Sequence, residues 1–305
     1  MNNRYILLIV LFIFSLIGKT QGQTSTNYDE GVSMYNSKKF DKAIVLFTKS
    51  LEENPKLIDA LYLRGLSYYQ LNNYLLAISD FSDFIKENPN DKDALNIRAY
   101  CYQQVQQFDL ALTDYNKLID LNPNINDVFY NRGMCKYSQS KYKEAFDDFD
   151  IASQKNTKDP NVWIYKGLCM YMLEKDKMAI SFYNKAITLS DTNSKALYNR
   201  ALAYYSLKDY ENAIPDFKKC INLNPTHAKS NFYLGYIYYL KEQFGLSMQF
   251  YNRAIEIDEG YAEAYYYRGF AQRKLGKFEK GCDDWKKANQ LGNKEAQKTI
   301  DLHCN

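Results

Sequence analysis

Across its 305 residues the chain sets 39 lysines and arginines against 36 acids, a balance that gives no overall electrostatic pull on nucleic acid or anionic lipid. Its six cysteines are even in number but too sparse for the disulfide framework of a small secreted domain.

In chain order, the first stretch stands apart. Arg4 gives a positive start, Tyr5 to Ile17 form an almost unbroken apolar run, and Thr20-Gln21-Gly22 offers a small-x-small cleavage site, so residues 1–22 read as a secretory signal peptide. The run is shorter than the roughly 20 residues that a membrane span needs, and no cysteine follows it to carry a bacterial lipid anchor. The expected mature chain starts near Gln23, has no transmembrane span, and is exported to the periplasm, the envelope or the outside. Losing Arg4 and Lys19 leaves 39 − 2 = 37 basic residues against 36 acids.

From Thr24 onward one pattern returns every 34 residues through eight copies, near 24–57, 58–91, 92–125, 126–159, 160–193, 194–227, 228–261 and 262–295, with 296–305 left as a C-terminal cap. The stretch from Ser194 to Pro225 shows the unit. Leu197, Ala201 and Tyr204 recur at helical spacing, a short polar break follows, and Ala213, Phe217 and Cys220 do the same. First helices are expected near 25–37, 58–71, 92–105, 126–139, 160–173, 194–207, 228–241 and 262–275. Second helices are expected near 41–53, 74–87, 108–121, 142–155, 176–189, 210–223, 244–257 and 278–291. One such hairpin leaves apolar surface on both sides, so neighbours must stack. Asp159-Pro160 reads as an N-cap followed by proline at the first helical position, and Thr226 as the cap of the seventh first helix. Pro215, inside a second helix, is expected to kink or loosen hairpin six.

Three columns run through the copies without a slip. The eighth place is small (Gly31, Gly65, Ala99, Gly133, Gly167, Ala201, Gly235, Gly269), as is the twentieth, and the twenty-fourth is aromatic from Phe47 to Trp285. A proline closes four copies, at Pro55, Pro89, Pro123 and Pro225. This pattern resembles the tetratricopeptide repeat (TPR), a helix-turn-helix unit of 34 residues. The resemblance implies an all-α fold: an α-solenoid, a right-handed superhelix of eight helical hairpins with a short C-terminal capping helix. It also implies a binding scaffold, the usual role of the family.

A further column joins the seventh place to the twenty-third. Arg64 goes with Asp80, Arg98 with Asp114, Arg132 with Asp148, Arg200 with Asp216 and Arg268 with Asp284, whereas Glu30 and Leu234 go with Leu46 and Phe250, and Lys166 with Phe182. The match holds only within a copy, which puts an arginine–carboxylate clasp between the two helices of one hairpin. Catalytic chemistry leaves little trace. The only histidines, His227 and His303, have no metal-ligand or nucleophile spacing around them, and no glycine-rich phosphate loop occurs. No enzymatic activity, metal or cofactor is expected. Cys101, Cys135 and Cys169, one repeat apart, read as buried core.

In proteins of this family the first helices line a concave wall, chiefly through places 2, 5, 6, 9, 12 and 13. Towards the C-terminus those places hold Tyr198, Tyr205, Phe232, Tyr233, Tyr236, Tyr239, Tyr266, Tyr267 and Phe270, with Lys195 and Lys229 at place 2. Tyrosine at places 5 and 12 also serves packing, while the excess at 6 and 9 offers large contact area with a hydrogen-bonding tip. The two lysines oppose the helix dipole at about 0.3 to 1 kcal/mol each, a cost that an acidic partner segment would offset. The leading expectation is an extracytoplasmic scaffold that binds a protein or peptide segment along this groove. A passive spacer in an envelope complex and a carbohydrate-binding module stay open beside it, as do the partner's identity and the oligomeric state. The ending GCDDWKKANQLGNKEAQKTIDLHC is similar to the capping segment of exported bacterial members of the family, with a final helix from Lys294 to His303. Cys282 and Cys304 lie equally far from Asn293, and an oxidising compartment permits a disulfide between them, with buried free thiols as the alternative.

Overall fold

The computed structural model describes residues 26–123 and 125–304, and every regular element among them is an α-helix. The signal peptide expected at 1–22 lies outside the described residues. Where the sequence pattern runs on unbroken, the contacts group the chain into two compact units, 1–123 and 124–305.

In the first unit α1 (Thr26–Asn36) pairs with α2 (Phe40–Glu53), α3 (Ile58–Gln70) with α4 (Tyr74–Glu87), and α5 (Lys92–Gln104) with α6 (Phe108–Leu121). The hairpins are joined by α2 on α3 and α4 on α5. The second unit pairs α7 (Asn126–Ser138) with α8 (Tyr142–Lys155), α9 (Pro160–Met172) with α10 (Asp176–Leu189), and α11 (Ser194–Ser206) with α12 (Tyr210–Leu223). It continues with α13 (Ala228–Leu240) on α14 (Phe244–Ile257), α15 (Ala262–Lys274) on α16 (Phe278–Gln290), and the short α17 (Ala296–His303) on α16. Within each unit every helix packs on the one before and the one after, which is the arrangement of an α-solenoid. The helix ends lie within two residues of those expected from the periodicity.

The aromatic column is the reason the hairpins close. Phe47, Phe81, Tyr115, Phe149, Tyr183, Phe217, Tyr251 and Trp285 are all fully buried, each worth about 1.5–3 kcal/mol of apolar transfer. They demand a small residue opposite. At Gly235 an added Cβ would stand 2.7 Å from Tyr251 Cδ1, so only glycine lets these two helices approach.

Each first helix ends in the same way. The fifteenth place is left-handed in every hairpin, with φ between 56° and 61° at Lys38, Asn72, Gln106, Ser140, Glu174, Lys208 and Glu242, and 75° at Gly276. The next amide then reaches back to a helix carbonyl, as Lys175 N does to Met170 O at 2.8 Å. Helix starts vary more. Asp159 accepts from Asn161 N at 2.9 Å with Pro160 following, and Asn193 accepts from Ala196 N at 3.0 Å. The cap of α13 is His227 and not Thr226, because α13 begins at Ala228 and the cap falls one residue later than expected. His227 Nδ1 accepts from Ser230 N at 3.1 Å, while Thr226 turns to Asn224 Oδ1. Pro215 is exposed, and α12 runs through it without a break.

At the C-terminus α17 covers the last hairpin. Trp285 Nε1 donates to Tyr266 O at 3.0 Å, the Tyr266 and Thr299 hydroxyls meet at 3.1 Å, and Arg273 Nη1 donates to His303 O at 3.2 Å. Cys282 and Cys304 form a disulfide with Cα atoms 5.7 Å apart.

Candidate functional site

All the aromatic and lysine residues singled out from the sequence lie on first helices of the second unit. Lys195, Tyr198 and Tyr205 are on α11, Lys229, Phe232, Tyr233, Tyr236 and Tyr239 on α13, and Tyr266, Tyr267 and Phe270 on α15. The rings are half-buried and both lysines exposed.

The structure sorts these rings by what they touch. Place 5 packs inward on the core ring of its own hairpin: Tyr198 lies 5.9 Å from Phe217 and Phe232 5.9 Å from Tyr251. Place 12 packs on the start of the second helix, Tyr205 on Tyr210 at 6.0 Å and Tyr239 on Phe244 at 5.6 Å. Place 6 joins hairpins. Tyr233 stacks on Phe217 of the preceding one at 5.4 Å with planes 1° apart, as Tyr165 does on Phe149 at 5.4 Å. Tyr267 stands edge-on to Tyr236 at 4.7 Å, Tyr236 reaches Tyr205 at 6.1 Å, and Phe270 reaches Trp285 at 5.0 Å. Successive first helices thus carry one aromatic seam, running from Tyr198 to Phe270. Burial pushes the hydroxyls of Tyr198, Tyr205, Tyr233, Tyr239 and Tyr267 above the usual phenol range, so they stay neutral hydrogen-bonding groups.

The two lysines differ. Lys195 Nζ lies 4.3 Å above the Tyr165 ring and donates to its hydroxyl at 3.2 Å, so its charge already serves the neighbouring hairpin. Lys229 is exposed beside His227, whose ring burial pushes below the ordinary imidazole value, with the Lys229 charge adding to the effect. The His227 ring in turn lies 4.8 Å from Tyr198. Among the described residues no group of three or more His, Cys, Asp or Glu is placed to hold a metal ion.

Each clasp joins the two helices of its own hairpin. Arg200 Nε and Nη2 both bond Asp216 at 2.7 Å, and the same two-point pairing holds Arg64 to Asp80, Arg98 to Asp114, Arg132 to Asp148 and Arg268 to Asp284. Sequence reasoning missed the third arm. Nη1 of Arg64, Arg98, Arg200 and Arg268 reaches back to Thr48, Ser82, Asn184 and Asn252, each at the twenty-fifth place of the preceding hairpin. Lys166 reaches that place too, with Nζ 2.6 Å from Asp150 and 3.2 Å from the Ser153 hydroxyl, and the rings of Trp163 and Phe182 at 4.7 and 4.8 Å. The signal was present in the sequence: a neutral acceptor stands before an arginine that has its own aspartate, and an acid before the lysine that has none.

Family models described as "Tetratricopeptide repeat" match residues 102–161 and 194–227, and one described as "TPR repeat" matches 235–276. A model for anaphase-promoting complex, cyclosome, subunit 3 matches 36–118. Among curated proteins no relative matches the sequence. Of solved structures, the C-terminal part of a TPR repeat-containing protein from Cytophaga hutchinsonii is similar over 78% of this chain and 97% of its own, at 19% identity and a TM-score of 0.65. YrrB, described as a TPR protein with an unusual peptide-binding site, is similar over 62% of this chain and 97% of its own, at 22% identity and a TM-score of 0.53. A chain of the APC/C hetero-tetramer Cut9-Hcn1 is similar over 94% of this chain and 57% of its own, at 13% identity and a TM-score of 0.60. At such identities the likeness speaks for the fold alone. With its unbroken columns, its consecutively paired helices and these matches, the chain belongs to the tetratricopeptide-repeat family, whose members mediate protein–protein interaction.

Proposed function

We propose that this protein is a non-enzymatic scaffold that works outside the cytoplasm and takes up a protein segment along the aromatic face of α11, α13 and α15. The observation that carries this reading is the surplus of rings at places 6 and 9. Tyr236 and Tyr267 meet other rings of this face across hairpins and keep part of their surface exposed, while the rings at places 5, 12 and 24 supply the packing within each hairpin. Half-exposed tyrosine and phenylalanine on rigid helices give contact area at low entropic cost. Lys229 is the single charged side chain in the 13 residues of α13, so the partner segment carries an acid near it. Lys195, engaged with Tyr165, contributes less than its sequence position suggests. Export is supported by the n-region, apolar run and Thr20-Gln21-Gly22 of the sequence, together with a disulfide that needs an oxidising compartment.

The test is affinity capture with the mature protein, followed by binding of the captured partner to Tyr236→Ala, Tyr267→Ala and Lys229→Glu variants that keep their circular dichroism. Each is expected to weaken binding by about tenfold or more. Wild-type affinity in all three would exclude this face and leave the passive spacer; competition by glycans but not by peptides would leave the carbohydrate module. Mass measurement of the exported chain addresses the compartment, with an N-terminus at Gln23 expected and one at Met1 contradicting export.

A further inference from the structure

The other end of the chain carries a surface of different character. Within the first unit, the side of α3 and of α5 that faces the N-terminus is covered by the preceding second helix, α2 or α4. On the first hairpin the equivalent side is a shallow depression lined by Glu30, Met34, Asp41, Lys42, Val45 and Leu46. Val45 is 55% exposed there, and Glu30, Asp41 and Lys42 are exposed as well.

Glu30 and Leu46 depart from their columns together. Glu30 occupies the seventh place, from which Arg64 and Arg98 reach the preceding hairpin through Nη1 at 3.2 Å. Leu46 occupies the place of the clasping aspartate. The first hairpin therefore offers an acid and an apolar side chain where the next two offer an arginine already neutralised by its own carboxylate. An acid at that place calls for a base from whatever covers the face, and Lys42, on the same face, calls for an acid.

We propose that this face binds the same face of a second copy of the chain, giving a two-fold dimer. A two-fold contact sets one surface against itself, so it needs both signs of charge around an apolar centre. Met34, Val45 and Leu46 form that centre, and Lys42 of one copy meets Glu30 of the other twice over. An acidic or a basic peptide would be opposed by one of the two signs. Head-to-tail stacking is closed off, because the C-terminal end of the second unit is covered by α17 and tied by Cys282–Cys304. The proposal does not rest on the aromatic face, which belongs to the other unit.

The test is the mass of the protein in solution by light scattering and sedimentation, for the full chain and for the chain from Gln23, at concentrations up to about 0.1 mM to allow for a small interface. Both are expected to approach twice the monomer mass. Val45→Asp should abolish the dimer and Lys42→Glu should weaken it by at least tenfold, and adding Glu30→Lys to Lys42→Glu should restore it, because the two-fold then exchanges both signs. All these positions are exposed, and circular dichroism checks that each variant stays folded. A monomer at every concentration overturns the proposal, as does a dimer that ignores both Val45→Asp and Lys42→Glu. Assemblies larger than two would mean head-to-tail stacking. A dimer formed only by the full chain would mean that the N-terminal segment, and not this face, makes the contact.

Discussion

Replacing Arg200 by leucine tests the clasp most directly. In the wild type Arg200 makes three short bonds, two to Asp216 and one from Nη1 to Asn184 at 2.7 Å, and its side chain is 21% exposed against 8% for that of Asp216. Arg200→Leu leaves the Asp216 carboxylate buried without its counter-charge. Breaking a buried pair in this way costs about 3–5 kcal/mol, and the solvent that reaches Arg200 lowers the figure to roughly 2–4 kcal/mol. Asp216→Leu alone strands the more exposed partner, which keeps Asn184 and water, so it costs less. The double variant Arg200→Leu with Asp216→Leu removes both charges and costs least, about 1 kcal/mol or below. The protein already contains this arrangement: in hairpin seven Leu234 is fully buried and Phe250 stacks on Tyr238 at 5.4 Å. Urea titrations of the three variants, followed by circular dichroism, give the order. A double variant as unstable as Arg200→Leu, or more so, would show that the pair contributes by direct attraction and that the column does not accept an apolar exchange, which refutes the reasoning.

Three further outcomes are expected. Because burial lowers the pKa of His227 and only the neutral ring can accept from Ser230 N, the unfolded chain takes up the proton first; stability is fully present above about pH 6.5 and falls as pH drops from there through the folded value. His227→Asn, which keeps a capping acceptor, should flatten that part of the pH dependence of the urea midpoint, and an unchanged slope would assign it to another group. Cys304→Ser opens a disulfide of sequence separation 22, a loss of about 3 kcal/mol in the chain-entropy account; hydrogen exchange should rise in α17 first, and alkylation of both thiols in the untreated native protein would deny the bridge. Tyr183 is fully buried and its hydroxyl has no partner among the described residues, so Tyr183→Phe should leave stability unchanged or raise it by up to about 1–2 kcal/mol, whereas a clear fall in the melting temperature would reveal a bonded hydroxyl.

Periodicity alone determined most of the fold. A column that must be small at Gly235 and aromatic at Tyr251 describes one contact repeated along the chain, and a contact that returns every 34 residues needs no tertiary information to be read. The arginine–aspartate clasp was legible for the same reason, since covariation within each copy stands in for proximity. The left-handed residue after each first helix was not, because Lys38, Gln106 and Glu174 carry no preference for that conformation and are held in it by the packing of the hairpin. The cap at His227 was misplaced by one residue, a shift too small for propensity to resolve. For the aromatic face the sequence determined which rings share the first helices, but not their work. Only the tertiary structure separated Tyr198 and Tyr239, spent on packing, from Tyr236 and Tyr267, and showed Lys195 committed to Tyr165 while Lys229 stays exposed. Spacing along a helix tells which side a residue occupies, whereas the partner it meets comes from a neighbouring hairpin, and that distance is set by the stacking of whole helices.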